Sequence, residues 1–234
     1  MMTATHRAYV LHSGGLDSST ALVKAFQDSG LEEEVISVSI NYGQRHLKET
    51  DYAKRLCDHY SIEHIIADIV APPKSMLTDI HATVPHMSYS DMSQGISPTY
   101  VPFRNGQLLS RITSIAQAWI MKGDLDERTA TVWFGAHAED AHNWAYPDCT
   151  PEFIGAMANA IYIGTYHKVR LVAPFVHSTK SQIITEGYDL KVPYDMTWSC
   201  YKGEEKHCGE CPTCIARKEA FIKADVYDPT EYAA

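Results

Sequence analysis

Short apolar runs alternate with amphipathic stretches along most of this chain, and each run stops at a turn signal. Residues 8–11, 35–40, 64–69, 131–136 and 169–175 carry the strand pattern. Between them, residues 18–29 place Ala21, Leu22, Ala25 and Phe26 on one helical face before Gly30. Helical spacing recurs over 46–60, 106–120, 151–163 and 179–186. The pattern fails from 71 to 100, where Pro72, Pro73, Pro85 and Pro98 break any long element. A long loop is expected there, of the kind that often walls a site.

Strands alternating with helices predict a doubly wound, mostly parallel α/β sheet. Ligands bind beyond the carboxyl ends of such strands. The loops starting at His12, Asn41, Gly135 and Phe175 should therefore surround one crevice. The expected division is a main α/β domain over 1–195, a small cysteine-rich module over 196–224 and a loose tail over 225–234.

The 234 residues carry a formal charge of −9. That acidity argues against a nucleic-acid-binding surface, while leaving room for a local basic pocket around one anion. Residues 1–7 are too short and polar for a signal peptide, and no apolar run approaches a membrane span. A cytoplasmic chain with no membrane partner is expected. Its six cysteines then read as thiols or metal ligands, because cytosolic disulfides are rare.

Ser13-Gly14-Gly15-Leu16-Asp17-Ser18-Ser19 lies between a predicted strand and a predicted helix. Glycines let the backbone aim N–H groups at an anion, and a helix start adds partial positive charge. Ser18 and Ser19 are expected to donate hydroxyls and cap the helix. The bland alternative is a tight turn with an N-cap. The loop is neither the lysine-containing phosphate loop of common NTPases nor a dinucleotide fingerprint.

Near the carboxyl end, Cys200, Cys208, Cys211 and Cys214 fall within fifteen residues. Two Cys-x2-Cys spacings suit tetrahedral zinc, and four thiolates would close its coordination shell, making the metal structural. An iron–sulfur cluster, His207 in place of Cys208, and a redox pair are the alternatives.

The run SGGLDSS directly after a first strand resembles the pyrophosphate-loop ATPases, whose common pattern is SGGxDS. Further segments narrow the resemblance: Asn41-Tyr42-Gly43-Gln44-Arg45-His46, Tyr100-Val101-Pro102 with Arg104-Asn105, Tyr146-Pro147-Asp148-Cys149 with Glu152-Phe153, Thr179-Lys180, and Thr197-Trp198-Ser199-Cys200-Tyr201. In this order, and with the cysteine spacing, they are similar to the 7-cyano-7-deazaguanine synthase family over residues 8–221.

The resemblance implies an adenine-nucleotide alpha-hydrolase-like fold and a C–N bond-forming ligase using ATP, Mg²⁺ and structural Zn²⁺. It implies that 7-carboxy-7-deazaguanine and free ammonia give the nitrile through an adenylated carboxylate and then an adenylated amide. His12, Ser13, Gly14, Gly15, Leu16, Asp17, Ser18, Ser19 and Arg45 would hold ATP. Lys180, Arg104 and Asp17 would serve the chemistry, while Gly135, Tyr146 and Asp148 would hold the substrate. Phe103 or Trp144 would be available to stack on the base. Cys149 has no identifiable base and reads as a wall residue. A homodimer is also implied.

The sequence leaves the family pattern in two places. The usual Val-Pro-Gly-Arg-Asn is Val101-Pro102-Phe103-Arg104-Asn105, so the backbone or pocket is expected to differ at Phe103. The segment 135–149 is about two residues longer than usual, with Asn143-Trp144-Ala145 before the Tyr-Pro-Asp-Cys run and Thr150 after it. Both changes fall near the expected substrate, so an enzyme stopping at the amide or using a related carboxylate is an alternative. A tRNA-modifying member of the superfamily and a non-catalytic ATP-binding scaffold are others.

Overall fold

A computed structural model describes residues 5–30, 33–44, 48–70, 78, 99–123, 127–141 and 146–233. Among the described residues the strands and α-helices are, in chain order, β1 (His6–Leu11), α1 (Leu16–Asp28), β2 (Glu33–Asn41), α2 (Lys48–Tyr60), β3 (Glu63–Asp68), α3 (Arg104–Met121), β4 (Thr129–Trp133), α4 (Pro151–Gly164), β5 (Val169–Val172), α5 (Lys180–Asp189) and α6 (Pro212–Ala224). Among the described residues the strands form one parallel sheet in the order β3-β2-β1-β4-β5. This is the expected doubly wound class. Of the long loop expected over 71–100, all but Thr78, Thr99 and Tyr100 lies outside the described residues.

Both sheet faces are covered, which explains why β1 and β2 read as continuous apolar runs. Alternate residues of β1 serve opposite layers. Tyr9 and Leu11 pack with Ile36, Val38, Leu109 and Ile112, under α3 and α4. Ala8 and Val10 pack with Leu22, Leu56, Ile183 and Phe221, under α1, α2, α5 and α6. Strand order reverses between β1 and β4, so the loops after those two strands flank the crevice at the carboxyl edge.

Several local expectations change. Helix α1 starts at Leu16 with Gly15 as its N-cap, so neither Ser18 nor Ser19 caps it. β5 stops at Val172, three residues earlier than expected, just ahead of Ala173-Pro174. Phe103 keeps the left-handed conformation, with φ 52° and ψ 29°, although it is not glycine. Its ring stands half-exposed, edge-on to Phe153 at 5.8 Å, and the strained backbone costs about 1–2 kcal/mol.

The segment after Ala224, expected to be loose, docks on the cysteine module. His207 N–H donates to Glu231 O at 3.2 Å, and Ala233 N–H donates to His207 O at 2.7 Å. Tyr232 Oη donates to Asp228 Oδ2 at 2.7 Å. Buried Arg217 organises the junction: it donates to Thr197 Oγ1 at 2.8 Å, Tyr194 O at 3.0 Å and Asp228 Oδ1 at 3.3 Å.

Burial pushes the Asp228 carboxyl up, but Arg217, Tyr232 and Thr230 outweigh it and hold the group below the usual range. Its stabilising contribution is therefore present above the unfolded carboxylate pKa and fades as pH falls through the lower folded value. Arg217→Met should cost about 3 kcal/mol, because it strands buried acceptors and a carboxylate. Urea unfolding at neutral pH checks this, and the deficit should shrink in acid as Asp228 protonates.

Candidate active site

The glycine loop leaves β1 at His12 and enters α1 at Leu16. Gly14 sits at φ +84°, where a Cβ would overlap the carbonyl oxygen of Glu49 in the first turn of α2. Only glycine fits both constraints. Ser18 Oγ accepts from Ser13 N–H at 3.2 Å, lies 3.0 Å from Ser13 Oγ and donates to Gly15 O at 3.2 Å. The serine therefore braces the loop from inside rather than capping the helix.

A cavity of about 280 Å³ opens beside this loop. His12, Ser13, Gly15, Leu16, Asp17 and Ser18 line one side, with Lys180, Gly135 and Asp140 beyond them. Arg104, Tyr42, Glu49 and Cys149 line another part of the wall. Gly14 and Ser19 stand behind it, and Ser19 Oγ is 3.1 Å from His12 Nε2.

Lys180 is the first residue of α5, whose start is fixed by a capping box between Thr179 and Gln182. Its backbone N–H donates to Glu139 Oε2 at 2.8 Å, and its Nζ lies 3.5 Å from Asp17 Oδ2. Burial pulls the ammonium pKa down, but Asp17, Asp140 and Glu139 more than reverse this, so Lys180 stays charged. His137, almost fully buried, places Nε2 3.7 Å from Asp17 Oδ2 and 3.3 Å from Asp140 Oδ2. Asp17 Oδ1 is buried with no hydrogen-bond partner among the described residues. A hard oxygen donor left in this state suits a divalent cation such as Mg²⁺.

Arg104 opens α3 and lies 5.6 Å from the Tyr42 ring. Burial disfavours its charge, but Tyr42, Tyr201, Cys149 and Asp148 outweigh that effect, and a guanidinium remains protonated. Burial pushes the nearby Glu49 carboxyl up to about 7, with Arg104 pulling it back. His12 is pushed down to about 3 by burial and then by His64, so it is neutral and cannot balance phosphate charge.

Asp148 and Tyr146 are not part of the cavity wall. Asp148 Oδ2 accepts from Asn105 N–H at 3.0 Å, tying the 3₁₀ turn Pro147–Cys149 to the start of α3. Tyr146 Oη bonds Thr99 Oγ1. Cys149 is a buried wall residue whose thiol accepts from Asn105 Nδ2 at 3.1 Å, and burial pushes its pKa up. Arg45 and Trp144 lie outside the described residues, and Phe103 does not line the cavity.

The four cysteines of the module come together. Their sulfurs lie within 4.8 Å of one another, and Cys208 Sγ is 3.9 Å from Cys214 Sγ. Tetrahedral zinc with Zn–S near 2.3 Å needs sulfurs about 3.8 Å apart. Backbone N–H groups of Lys202 and Cys208 point at Cys200 Sγ, both at 3.4 Å, and Cys211 N–H points at Cys208 Sγ at 3.3 Å. Such donors suit thiolates, so the cluster can hold a metal ion. His207 does not join this donor cluster, and its Nε2 accepts from Ser199 N–H at 3.0 Å. The module also touches the glycine loop directly: Trp198 N–H donates to Gly14 O at 2.8 Å.

Sequence reasoning missed Glu49, His137 and Asp140. None belongs to a recognisable motif, and each reaches the crevice only through the fold.

These features define a doubly wound α/β enzyme with a charged crevice at its switch point and a thiolate-lined module beside it. The family model described as "Queuosine biosynthesis protein QueC" matches residues 7–225. A curated relative named 7-cyano-7-deazaguanine synthase from Marinomonas sp. (strain MWYL1) is 40% identical over 234 residues, covering 98% of this chain and 100% of its own. The relative of that name from Caldicellulosiruptor bescii is 42% identical over 231 residues, covering 97% of each chain. The one from Thermoplasma volcanium is 40% identical over 233 residues, covering 97% of this chain and 91% of its own. The chain belongs to the QueC family of queuosine biosynthesis and is an enzyme of the C–N bond-forming ligase type.

Proposed function

We propose that the enzyme converts 7-carboxy-7-deazaguanine, ATP and ammonia into 7-cyano-7-deazaguanine, with ATP on the glycine loop. The observation that carries this reading is Lys180 beside Asp17 at the mouth of the SGGLDSS loop, in a chain of the QueC family. Hydroxide is too poor a leaving group for an amine to displace from a carboxylate. The substrate carboxylate oxygen therefore attacks the α-phosphorus of ATP, and pyrophosphate departs. Ammonia adds to the acyl carbon, and AMP leaves to give the amide. The amide oxygen attacks the α-phosphorus of a second ATP and pyrophosphate departs; loss of AMP and of both nitrogen protons then leaves the nitrile.

The chain supplies charge and position. Loop N–H groups, Lys180 and Arg104 face the phosphates, where preorganised positive charge lowers the barrier. Asp17 and Asp140 would hold Mg²⁺, which when bound neutralises phosphate charge. Zn²⁺ on Cys200, Cys208, Cys211 and Cys214 would supply a structural staple. Gly135, where a side chain would press on the backbone of Asp17 and Ser18, lines the wall offered to the deazapurine, while Tyr146 and Asp148 fix that wall from behind. The cavity cation Arg104 is placed to meet the substrate carboxylate.

Glu49, in the first turn of α2 and on the cavity wall, takes the proton that ammonium must lose before it can attack. Activity with limiting ammonium should then rise through about pH 7, and Glu49→Gln should lose that limb and about 10²-fold in rate at neutral pH. Stability gives an independent readout. A raised carboxyl pKa stabilises the fold below the unfolded value, and that benefit is lost as pH rises through about 7. Glu49→Gln should accordingly gain on the wild type in urea unfolding at pH 8.5 relative to pH 5.5.

Carboxylate activation is tested by labelling both carboxylate oxygens of the substrate with ¹⁸O. One label should appear in AMP during amide formation. Unlabelled AMP would contradict activation at the carboxylate. The chain works as a homodimer in the cytoplasm without nucleic acid or membrane, and light scattering and a tRNA filter-binding assay check the first and third of these claims. No helix among the described residues is long and apolar enough to cross a membrane.

A further inference from the structure

Behind the glycine loop, on the side of the sheet covered by α1 and α2, a second group of soft donors converges. It lies apart from the cysteine module. His12 comes from the residue directly after β1, Ser37 from β2, Cys57 from α2 and His64 from β3. His12 Nδ1 and His64 Nδ1 lie 3.0 and 2.9 Å from the same Ser37 hydroxyl. Cys57 Sγ lies 3.8 Å from the first nitrogen and 3.7 Å from the second. The three nitrogen and sulfur donors all fall within 4.8 Å of one another. His12, Ser37 and Cys57 are buried, and His64 is partly so.

We infer that His12, Cys57 and His64 form a second Zn²⁺ site, with the Ser37 hydroxyl or a water as fourth ligand. Tetrahedral zinc with Zn–N near 2.1 Å and Zn–S near 2.3 Å places nitrogen and sulfur about 3.6 Å apart, and nitrogen and oxygen about 3.4 Å apart. The nitrogen–sulfur distances already match. The hydroxyl needs to retreat by only about half an ångström, which a serine rotamer supplies. His12 Nε2, 3.1 Å from Ser19 Oγ, has a partner for its proton, so the Nδ1 lone pair is free to face the donors. Sequence spacing does not reveal this set, because its members come from four different elements.

The site would join β1, α2 and β3 directly under the loop that carries the proposed ATP chemistry. A borderline-soft ion is required, since two imidazoles and one thiolate disfavour Mg²⁺ and Ca²⁺.

Zinc content of the full-length protein tests this. Protein saturated with ZnCl₂ and then desalted against a weak chelator should retain two zinc ions per chain by elemental mass spectrometry. Cys57→Ala should retain one, as should His64→Gln, with near-native circular dichroism in at least one of the two. Cobalt loading gives a second readout. Cys57→Ala should remove a weak single-thiolate charge-transfer band while the strong band of the four-thiolate site persists. One zinc in the saturated wild type would overturn the inference. So would two zinc ions in both variants.

Discussion

Lys180→Ala should reduce turnover by about 10²–10³-fold while leaving the folded protein intact. The side chain is partly buried at the start of α5, and its backbone is anchored independently by Glu139 and the Thr179–Gln182 capping box. Removing the side chain therefore spares the helix. What disappears is the positive charge 3.5 Å from Asp17, at the mouth of the glycine loop. Charge developing on pyrophosphate would lose a preorganised partner, and single donors of this kind are worth about 3–4 kcal/mol. Asp17 and Asp140 would also repel the incoming phosphates without their counter-ion.

Lys180→Arg separates charge from shape. It should recover part of the rate, since it restores the charge in a bulkier form. Steady-state kinetics with thermal melts alongside give the check. A fall in kcat with an unchanged melting temperature is expected, and full activity in Lys180→Ala would remove the lysine from the chemistry.

Cys211→Ser should cost one zinc per chain and lower the melting temperature by about 10–20 °C. Cys211 is fully buried and caps α6, so its loss opens the cluster at its centre. A closed four-ligand zinc contributes on the order of 10 kcal/mol to a folded module. Losing about half of that corresponds to the stated shift for a chain of this size. The damage should reach the active site, because Trp198 holds Gly14 and α6 packs Ala220 and Phe221 into the core beneath α1. Zinc content, melting temperature and kcat should therefore fall together. A variant that loses zinc but keeps its melting temperature would show that the staple is dispensable.

Much of the fold is legible in the sequence because a sheet buried on both faces leaves long apolar runs. β1 and β2 are the clearest cases. Helix boundaries are less legible: α1 begins at Leu16 because Gly15 supplies the N-cap geometry, although serines stand two and three residues further on. The last residues look featureless, yet Asp228 and Tyr232 find Arg217 and the cysteine module only in three dimensions. Phe103 shows the reverse case, where packing holds a bulky residue in a conformation its type disfavours.

The same division runs through the site. The glycine loop, Lys180 and the four cysteines are local or motif-borne, and they come together as their positions suggest. Glu49, His137 and Asp140 carry no motif, because nothing in their neighbours along the chain reveals the loop they face. Tyr146 and Asp148 stand in a motif, but the fold places them behind the wall rather than on it. Their polar atoms are used to hold the 3₁₀ turn and the start of α3.

In the proposed reaction one crevice activates a carboxylate and then the amide made from it. Mass spectrometry of the products formed from 7-carboxy-7-deazaguanine, ATP and ammonium tests it most directly, with AMP counted in the same samples. The expected final product is 7-cyano-7-deazaguanine, with the amide as a transient and two AMP formed per nitrile. Accumulation of the amide as the end product with one AMP, or no turnover at all, would contradict it.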